Sequence, residues 1–372
     1  MRRGLGNIVP SQLYIGLMSG TSLDGVDAVV ADLSAKSARA VANVHLPFEA
    51  RLRAELLALN TPGDDEIHRS ALLGNELARR YSATVDAVLT RAGVSAQEVV
   101  AIGCHGQTVR HRPTLGYTIQ IGNHALLAEL SGIRVVADFR HRDIAAAGQG
   151  APLVPAFHAF AFGSVDEDRL VVNLGGIANL TWLPRSGAVA GFDCGPGNCL
   201  LDLWAERHLG APMDANGDWA AGGAVDEILL QRFLAEPYIS ARPPKSTGRD
   251  LFNAAWLSAH GADAADPRTI QATLLEFSAR CISDAWRRYY SGAGRVVVCG
   301  GGFRNAALMR RLSALCSPVP VVSSETCGLA PELVEAVAFA WLAKMALDAV
   351  PANVPAVTGA RGPRVLGAIY PK

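Results

Sequence analysis

The sequence predicts an α/β protein built as two lobes around a cleft. Three observations lead there. Strand-like and helix-like stretches alternate along the chain. Two strand–glycine turn–strand segments recur about 155 residues apart, and no long Ser/Pro linker separates the halves. The 372 residues suffice for about two domains of ordinary size. With 50% hydrophobic and 18% charged residues, a disordered or fibrous chain is excluded. Lys plus Arg (34) equals Asp plus Glu (34), which argues against a nucleic-acid binder, since such domains carry a basic excess.

The first glycine hairpin is residues 14–33, YIGLMSGTSLDGVDAVVADL, where apolar runs flank a small polar centre. Residues 66–92 place Leu73, Leu77, Tyr81, Val85 and Val88 near helical spacing and stop at Gly93. Residues 99–104 (VVAIGC) read as a buried strand entering the polar turn His105-Gly106-Gln107, and residues 133–138 (IRVVAD) repeat that shape. Positions just past a strand's carboxyl end are where open α/β sheets bind ligands; ordinary loop polarity is the alternative. The second hairpin is residues 170–183, LVVNLGGIANLTWL, turning at Gly175-Gly176. Glycines at both turns are expected to supply positive φ and close backbone approach. A glycine-rich loop (191–198, GFDCGPGN), an irregular stretch (214–223) and a loop (243–250) follow. A helix from 269 to about 290, a buried strand opening onto Gly300, Gly301 and Gly302, and a helix from 306 to 315 complete the second half.

Seven cysteines are scattered without a C-x-x-C pair, so neither a zinc ribbon nor a dithiol redox site is indicated, and buried thiols in a reducing compartment are expected. The first residues lack an apolar core typical of a secretory signal, and the apolar segment 329–350 carries Glu332, Glu335, Lys344 and Asp348, which disfavours a membrane span. The expectation is a cytoplasmic protein with no membrane partner. No P-loop, H-E-x-x-H, G-x-S-x-G or G-x-G-x-x-G motif is present in the required context. What remains are glycine-rich turns at 16–25, 175–176 and 300–302. Successive backbone N–H groups in such turns bind anions without a lysine, so three of them suggest one nucleotide held between lobes. The alternative is that each is merely a turn.

Five segments carry a resemblance: MSGTSLDGVD (18–27), CHGQTVRHRP (104–113), ADFRHRDIAAAGQGAPLVP (137–155), NLGGIANLT (173–181) and FDCGPGN (192–198). In this combination and order the chain resembles the anhydro-N-acetylmuramic acid kinases, a family of the superfamily of acetate and sugar kinases, Hsp70 and actin. The resemblance implies a two-lobed actin-like (ribonuclease H-like) ATPase fold with the nucleotide between lobes. The expected lobes are residues 1–145 with about 350–372, and residues 146–349. It implies ATP and Mg²⁺ as cofactors, a small-molecule sugar as partner, and conversion of 1,6-anhydro-N-acetylmuramic acid and water to N-acetylmuramic acid 6-phosphate in cell-wall amino-sugar recycling. Homodimerisation is suggested by the resemblance alone.

That chemistry dictates residue types. O6 is tied into an ether bridge to the anomeric carbon and has no proton to lose. Water must attack the anomeric carbon while O6 attacks the γ-phosphorus, so one carboxylate base is required, as in an inverting glycosidase. Mg²⁺ and backbone donors must hold the phosphates. The family resemblance gives the base role to Asp193; the alternative is an Asx-turn residue bonding its own loop. Gly20, Thr21, Ser22, Leu23, Asp24, Gly25, Val26 and Asp27 are expected to wrap the ATP phosphates, with Gly175 and Gly176, while Gly300, Gly301 and Gly302 lie near the adenosine. Asp24 is the candidate to orient Mg²⁺ through water, or else Asp24-Gly25 is only a hairpin turn.

His105, Gln107, Asp138 and Arg140 are candidates for the sugar's polar groups, with Arg140 the bidentate partner of the lactyl carboxylate. An internal Asp138–Arg140 ion pair is the alternative. Glu335 is a further substrate candidate, or a solvated glutamate at a helix N-terminus. Two other readings stand beside this one: another sugar or carboxylate kinase or phosphatase of the superfamily, and a non-enzymatic ATP-binding module like actin or Hsp70.

Overall fold

The computed structural model describes residues 12–20, 22–35 and 37–372. The first half supplies strands β1 (Leu13–Met18), β2 (Gly25–Asp32), β3 (Arg39–Pro47), β4 (Val99–Cys104), β5 (Gln107–Arg112), β6 (Tyr117–Ile121) and β7 (Val135–Ala137). The second supplies β8 (Arg169–Leu174), β9 (Ile177–Leu183), β10 (Ala190–Pro196), β11 (Arg295–Cys299) and β12 (Val321–Ser323), and β13 (Ala368–Tyr370) ends the chain's secondary structure. The helices that frame the site are α1 (Glu66–Ala92), α2 (Pro155–Phe162), α3 (Cys199–Leu209), α4 (Pro267–Tyr289), α5 (Ala306–Cys316) and α6 (Val334–Leu347).

Each half forms one sheet, and the two sheets share a topology. The first runs β13-β7-β4-β1-β2-β3 and the second β10-β9-β8-β11-β12. In both, a hairpin and a third antiparallel strand lie on one side of the opening strand, and two parallel strands on the other. This is the 3-2-1-4-5 order of a ribonuclease H-like lobe, present twice, so the two similar hairpins of the sequence are corresponding parts. β5 and β6 form a separate two-stranded ribbon beside the first sheet.

Apolar residues on each outer sheet face pack under helices: Leu77, Tyr81, Val85 and Val88 of α1 on the first, and Leu274, Phe277, Cys281 and Trp286 of α4 on the second. The inner faces share a third core. It joins Val29 and Val136 of the first sheet and Val171 and Val297 of the second to Phe157 of α2 and Val337, Phe339 and Trp341 of α6. This shared layer forms the floor on which the cleft is built.

Helix α6 lies directly on the first sheet, against β1, β2 and β4. Gly16 and Gly103, paired in register across β1 and β4, permit that approach. A Cβ on Gly16 would fall 1.8 Å from the Ala336 carbonyl oxygen, and one on Gly103 1.9 Å from that of Phe339. From residue 334 the chain thus packs on the first sheet, as expected for the apolar helix near 329–350.

The segment 191–198, expected as a loop, is mostly strand: β10 pairs with β9 through a register shift between Asp193 and Gly195. Ladder bonding overrides the turn propensity of its glycines and proline. Among the described residues, no helix is long and apolar enough to cross a membrane. Six cysteines are buried and Cys327 is half-buried.

Candidate active site

Asp193 of β10 pairs with Asn179 directly before the register shift, where Cys194 is the extra residue. Asp193 is 6% exposed. Its Oδ2 accepts the Thr247 N–H at 3.1 Å, and its main chain is clamped as well: its N–H donates to the Lys245 carbonyl at 3.3 Å, and the Tyr238 hydroxyl donates to its carbonyl at 2.7 Å. Burial pushes the carboxyl up to about 7, against the opposing pull of the Thr247 N–H, Arg140 and Lys245. Asp193 is therefore bonded to a neighbouring loop rather than capping its own.

Arg140 approaches Asp193 and Glu335 from the segment after β7, and burial works against its charge while these carboxylates and Asp143 support it. Its Nη1 donates to the Gly150 carbonyl at 2.7 Å and its Nη2 lies 2.9 Å from His105 Nε2. A guanidinium only donates, so that imidazole nitrogen accepts. His105 Nδ1 then carries the proton and donates to the Ser19 carbonyl at 3.1 Å. Burial and the Arg140 charge push His105 down to about 3, so it stays neutral. Gln107 donates through Nε2 to the Gly20 carbonyl at 3.2 Å, while its buried Oε1 has no partner.

Asp138 takes another direction. Its φ is +57°, and its Oδ2 accepts the Tyr370 hydroxyl at 2.8 Å, tying β13 to the end of β7. Among the described residues it makes no ion pair with Arg140.

Glu335 opens α6 half-buried, and its Oε1 accepts from Asn173 Nδ2 at 3.1 Å, bridging the first sheet's helix to the end of β8. Burial raises its carboxyl, opposed by Asn173 and Arg140, with Asp27 and Asp24 adding to the rise. It is not a freely solvated helix-end glutamate. Asn173 also approaches the third glycine turn: Gly300 has φ +86°, and a Cβ there would fall 2.4 Å from Asn173 Oδ1. Gly302 packs against Asn198, whereas a Cβ on Gly301 would meet nothing within 4 Å.

Neither Gly175 nor Gly176 has the expected positive φ, and neither do Gly20 and Gly25. The second hairpin needs small residues for close approach instead. The Gly175 carbonyl accepts the Asn198 N–H at 2.9 Å, and the Gly176 carbonyl accepts those of Gly197 and Cys199 at 2.9 and 3.0 Å. A Cβ on Gly197 would lie 2.3 Å from the Gly175 carbonyl oxygen.

In the first hairpin, Thr21 lies outside the described residues. Leu23 is buried with φ +56°, and Val26 is fully buried, so both build the turn. The Ser22 hydroxyl donates to Asp24 Oδ1 at 2.6 Å. Asp27 bonds His45 at 2.9 Å and is raised by burial. Asp202 of α3, which sequence reasoning missed, faces this hairpin: burial, with Asp24 and Glu206 adding, pushes it up to about 7 against the pull of Arg249. Asn173, Tyr238, Lys245 and Thr247 were also missed as site residues. Asn173 stood inside a recognised motif, and the last two inside the noted loop 243–250. Among the described residues, no group of three or more His, Cys, Asp or Glu is placed to hold a metal.

The arrangement sets a buried carboxyl pushed up to about 7 near the Arg140 guanidinium, and brings Glu335 of α6 to Asn173 beside the third glycine turn. A family model described as anhydro-N-acetylmuramic acid kinase matches residues 12–372. An "Anhydro-N-acetylmuramic acid kinase" of Cupriavidus pinatubonensis is 55% identical over 368 residues, covering 96% of this chain and 98% of that one. One of the same description from Bordetella petrii is 55% identical over 368 residues, covering 97% of each. Among solved structures, an activator of 2-hydroxyisocaproyl-CoA dehydratase from Clostridium difficile gives a TM-score of 0.46 at 15% identity, covering 91% of this chain and 98% of that one. A ROK family glucokinase from Streptomyces griseus gives 0.41 at 15%, covering 90% and 99%.

Proposed function

Because the chain belongs to the anhydro-N-acetylmuramic acid kinase family, we infer that its interlobe cleft carries out ATP-dependent hydrolytic opening and 6-phosphorylation of 1,6-anhydro-N-acetylmuramic acid. The chain is a kinase, and the alternatives of another sugar or carboxylate kinase of the superfamily or a non-enzymatic ATP-binding module are not favoured.

We propose Asp193 as the base. Water attacks the anomeric carbon and gives one proton to the Asp193 carboxylate. The bond from that carbon to O6 breaks, O6 bonds to the γ-phosphorus, and the bond from the γ-phosphorus to the ADP oxygen breaks. No acid is needed at O6, because the phosphoryl group takes its charge. The single observation carrying this reading is the buried Asp193 carboxylate, pushed to about 7 and held by the Thr247 N–H. A base with a pKa near ambient pH combines basicity with adequate ionisation.

Arg140, pointed by the Gly150 carbonyl and neutral His105, is the proposed partner of the sugar's carboxylate. Gln107, with its unpartnered Oε1, is the proposed acceptor for a sugar hydroxyl or amide N–H. Asp138, held by Tyr370, supports the strand end. The turn at 20–27, with Gly175-Gly176, is the proposed phosphate site, and open Gly301 beside Asn173 the nucleoside end.

Mg²⁺ fits this chain as an ion held largely by phosphates and water. Asp24 is exposed and, among the described residues, its carboxylate is engaged only by Ser22, which leaves lone pairs for a metal-bound water. When bound, the ion neutralises charge on the transferring phosphate. A cytoplasmic setting and a homodimer belong to the same proposal.

Isotope tracing tests the chemistry. With ¹⁸O-labelled water, the label is expected in the anomeric hydroxyl and absent from the phosphate; label in the phosphate defeats the mechanism. Asp193→Asn is expected to bind ATP and form almost no sugar phosphate.

A further inference from the structure

Among the described residues, the Asp193 carboxylate takes one hydrogen bond, from a loop that is itself held from outside. Lys245 secures the near end: its ammonium donates to the Tyr238 and Ile239 carbonyls at 2.8 and 3.1 Å. On the far side, the Ser246 hydroxyl donates to Gln149 Oε1. Ser246 directly precedes Thr247, whose N–H meets Asp193 Oδ2. Among the described residues, Gln149 is the only side chain hydrogen-bonded to Ser246.

Gln149 is fixed in turn. Its N–H donates to the Thr358 carbonyl at 2.8 Å, and its neighbours wrap the buried carboxylate of Asp143. Asp143 Oδ2 accepts the Gly150 N–H at 2.8 Å, while Oδ1 accepts Asn353 Nδ2 at 2.7 Å and the Thr358 hydroxyl at 2.8 Å. A Cβ on Gly148 would fall 2.2 Å from Asp143 Oδ2. Asp143, fully buried, is thus satisfied by three donors and makes a rigid knot of the segment after β7 and the stretch 353–358. The same knot sets the Gly150 carbonyl that points Arg140.

We propose that Gln149 is a positioning residue for the reaction: its side-chain carbonyl, anchored by the Asp143 knot, holds Ser246 and thereby sets the Thr247 N–H on the Asp193 carboxylate. This rests on Asp193 being the base. The charged and titratable groups facing that carboxylate are Arg140 from the segment after β7, Lys245 from the loop, and Tyr238 and Cys194 beside it. None of them changes in the variants below.

The test compares Gln149→Ala, Ser246→Ala and the double variant by steady-state kinetics and pH–rate profiles, with thermal midpoints as a folding control. A loosened donor misplaces the base, so kcat should fall about tenfold or more in each single variant, with the KM for ATP unchanged. Losing the N–H also weakens the ionised form, so the acidic limb of the profile should move to higher pH. Because both residues act through one contact, the double variant should be no worse than either single one. Unchanged kcat and limb, additive losses, or a loss on Gln149→Ala that Ser246→Ala does not share would overturn the proposal. If Asp193→Asn is inactive while the other variants behave as wild type, this proposal alone falls. If Asp193→Asn retains wild-type turnover, the base assignment falls, and this proposal with it.

Discussion

Replacing Asp193 by asparagine should stabilise the protein at neutral and alkaline pH while abolishing turnover. The aspartate ionises at 3.8 in an exposed reference and at about 7 when buried in the fold. The folded chain therefore binds one proton more than the unfolded chain between those values. Stability falls as pH rises through that interval, and the penalty is complete above about 7. A displacement from 3.8 to about 7 corresponds to about 4 kcal/mol, at about 1.36 kcal/mol for each tenfold change in acidity. Asparagine has no charge to desolvate and keeps an oxygen for the Thr247 N–H, but its amide N–H₂ gains no evident acceptor, a loss of about 1 kcal/mol. Urea denaturation should thus find the variant about 1 kcal/mol less stable at pH 4 and about 3 kcal/mol more stable at pH 8. A stability difference that stays constant from pH 4 to pH 8 would show that the carboxylate does not ionise against a burial penalty, and would remove the physical basis for its poised basicity.

Arg140→Ala should raise the KM for the anhydro sugar about tenfold or more with the KM for ATP little changed, since a charged hydrogen bond is worth about 1.5–3 kcal/mol; equal effects on both substrates would refute its placement at the sugar. Gly103→Ala should cost about 3 kcal/mol or more, because the new methyl meets the backbone of α6 rather than a movable side chain. A thermal midpoint within a degree of wild type would contradict that packing. Native thiol labelling should modify Cys327 first and spare the rest. Burial pushes Cys104, Cys194 and Cys199 up to about 12 and Cys316 up to about 11, and also raises Cys281 and Cys299. Seven rapid modifications without denaturant would be inconsistent with the cores described.

Much of the scaffold was legible because its signals are local. The helix at 66–92 and the strand at 99–104 appear at the expected bounds, since long apolar periodicity and a short bounded apolar run are each decided within the segment. The strand β10 was hidden because Gly191, Gly195 and Pro196 carry turn propensity, and only pairing with β9 overrides it. The ribbon strand β5 was likewise concealed, as QTVRHR lacks an apolar run. At the site, motifs pointed to Asp193, Arg140 and His105, yet the groups that orient them were illegible. Thr247, Tyr238 and Gln149 act through backbone positions and contacts between segments 45 or more residues apart, which no spacing rule encodes. Asp138 adds a contact that no local pattern encodes, since the far terminus supplies the Tyr370 hydroxyl to its Oδ2.

The contact between the glycine pair and α6 also limits how this enzyme can diverge. At 16 and 103 a single methyl would strike main chain, so compensation cannot come from trimming one opposing side chain. Any lineage that altered either position would have to re-seat the whole alanine-rich helix, and with it the glutamate that reaches across to Asn173. Two small residues are thereby held by the main chain they touch, and the seating of that glutamate depends on both.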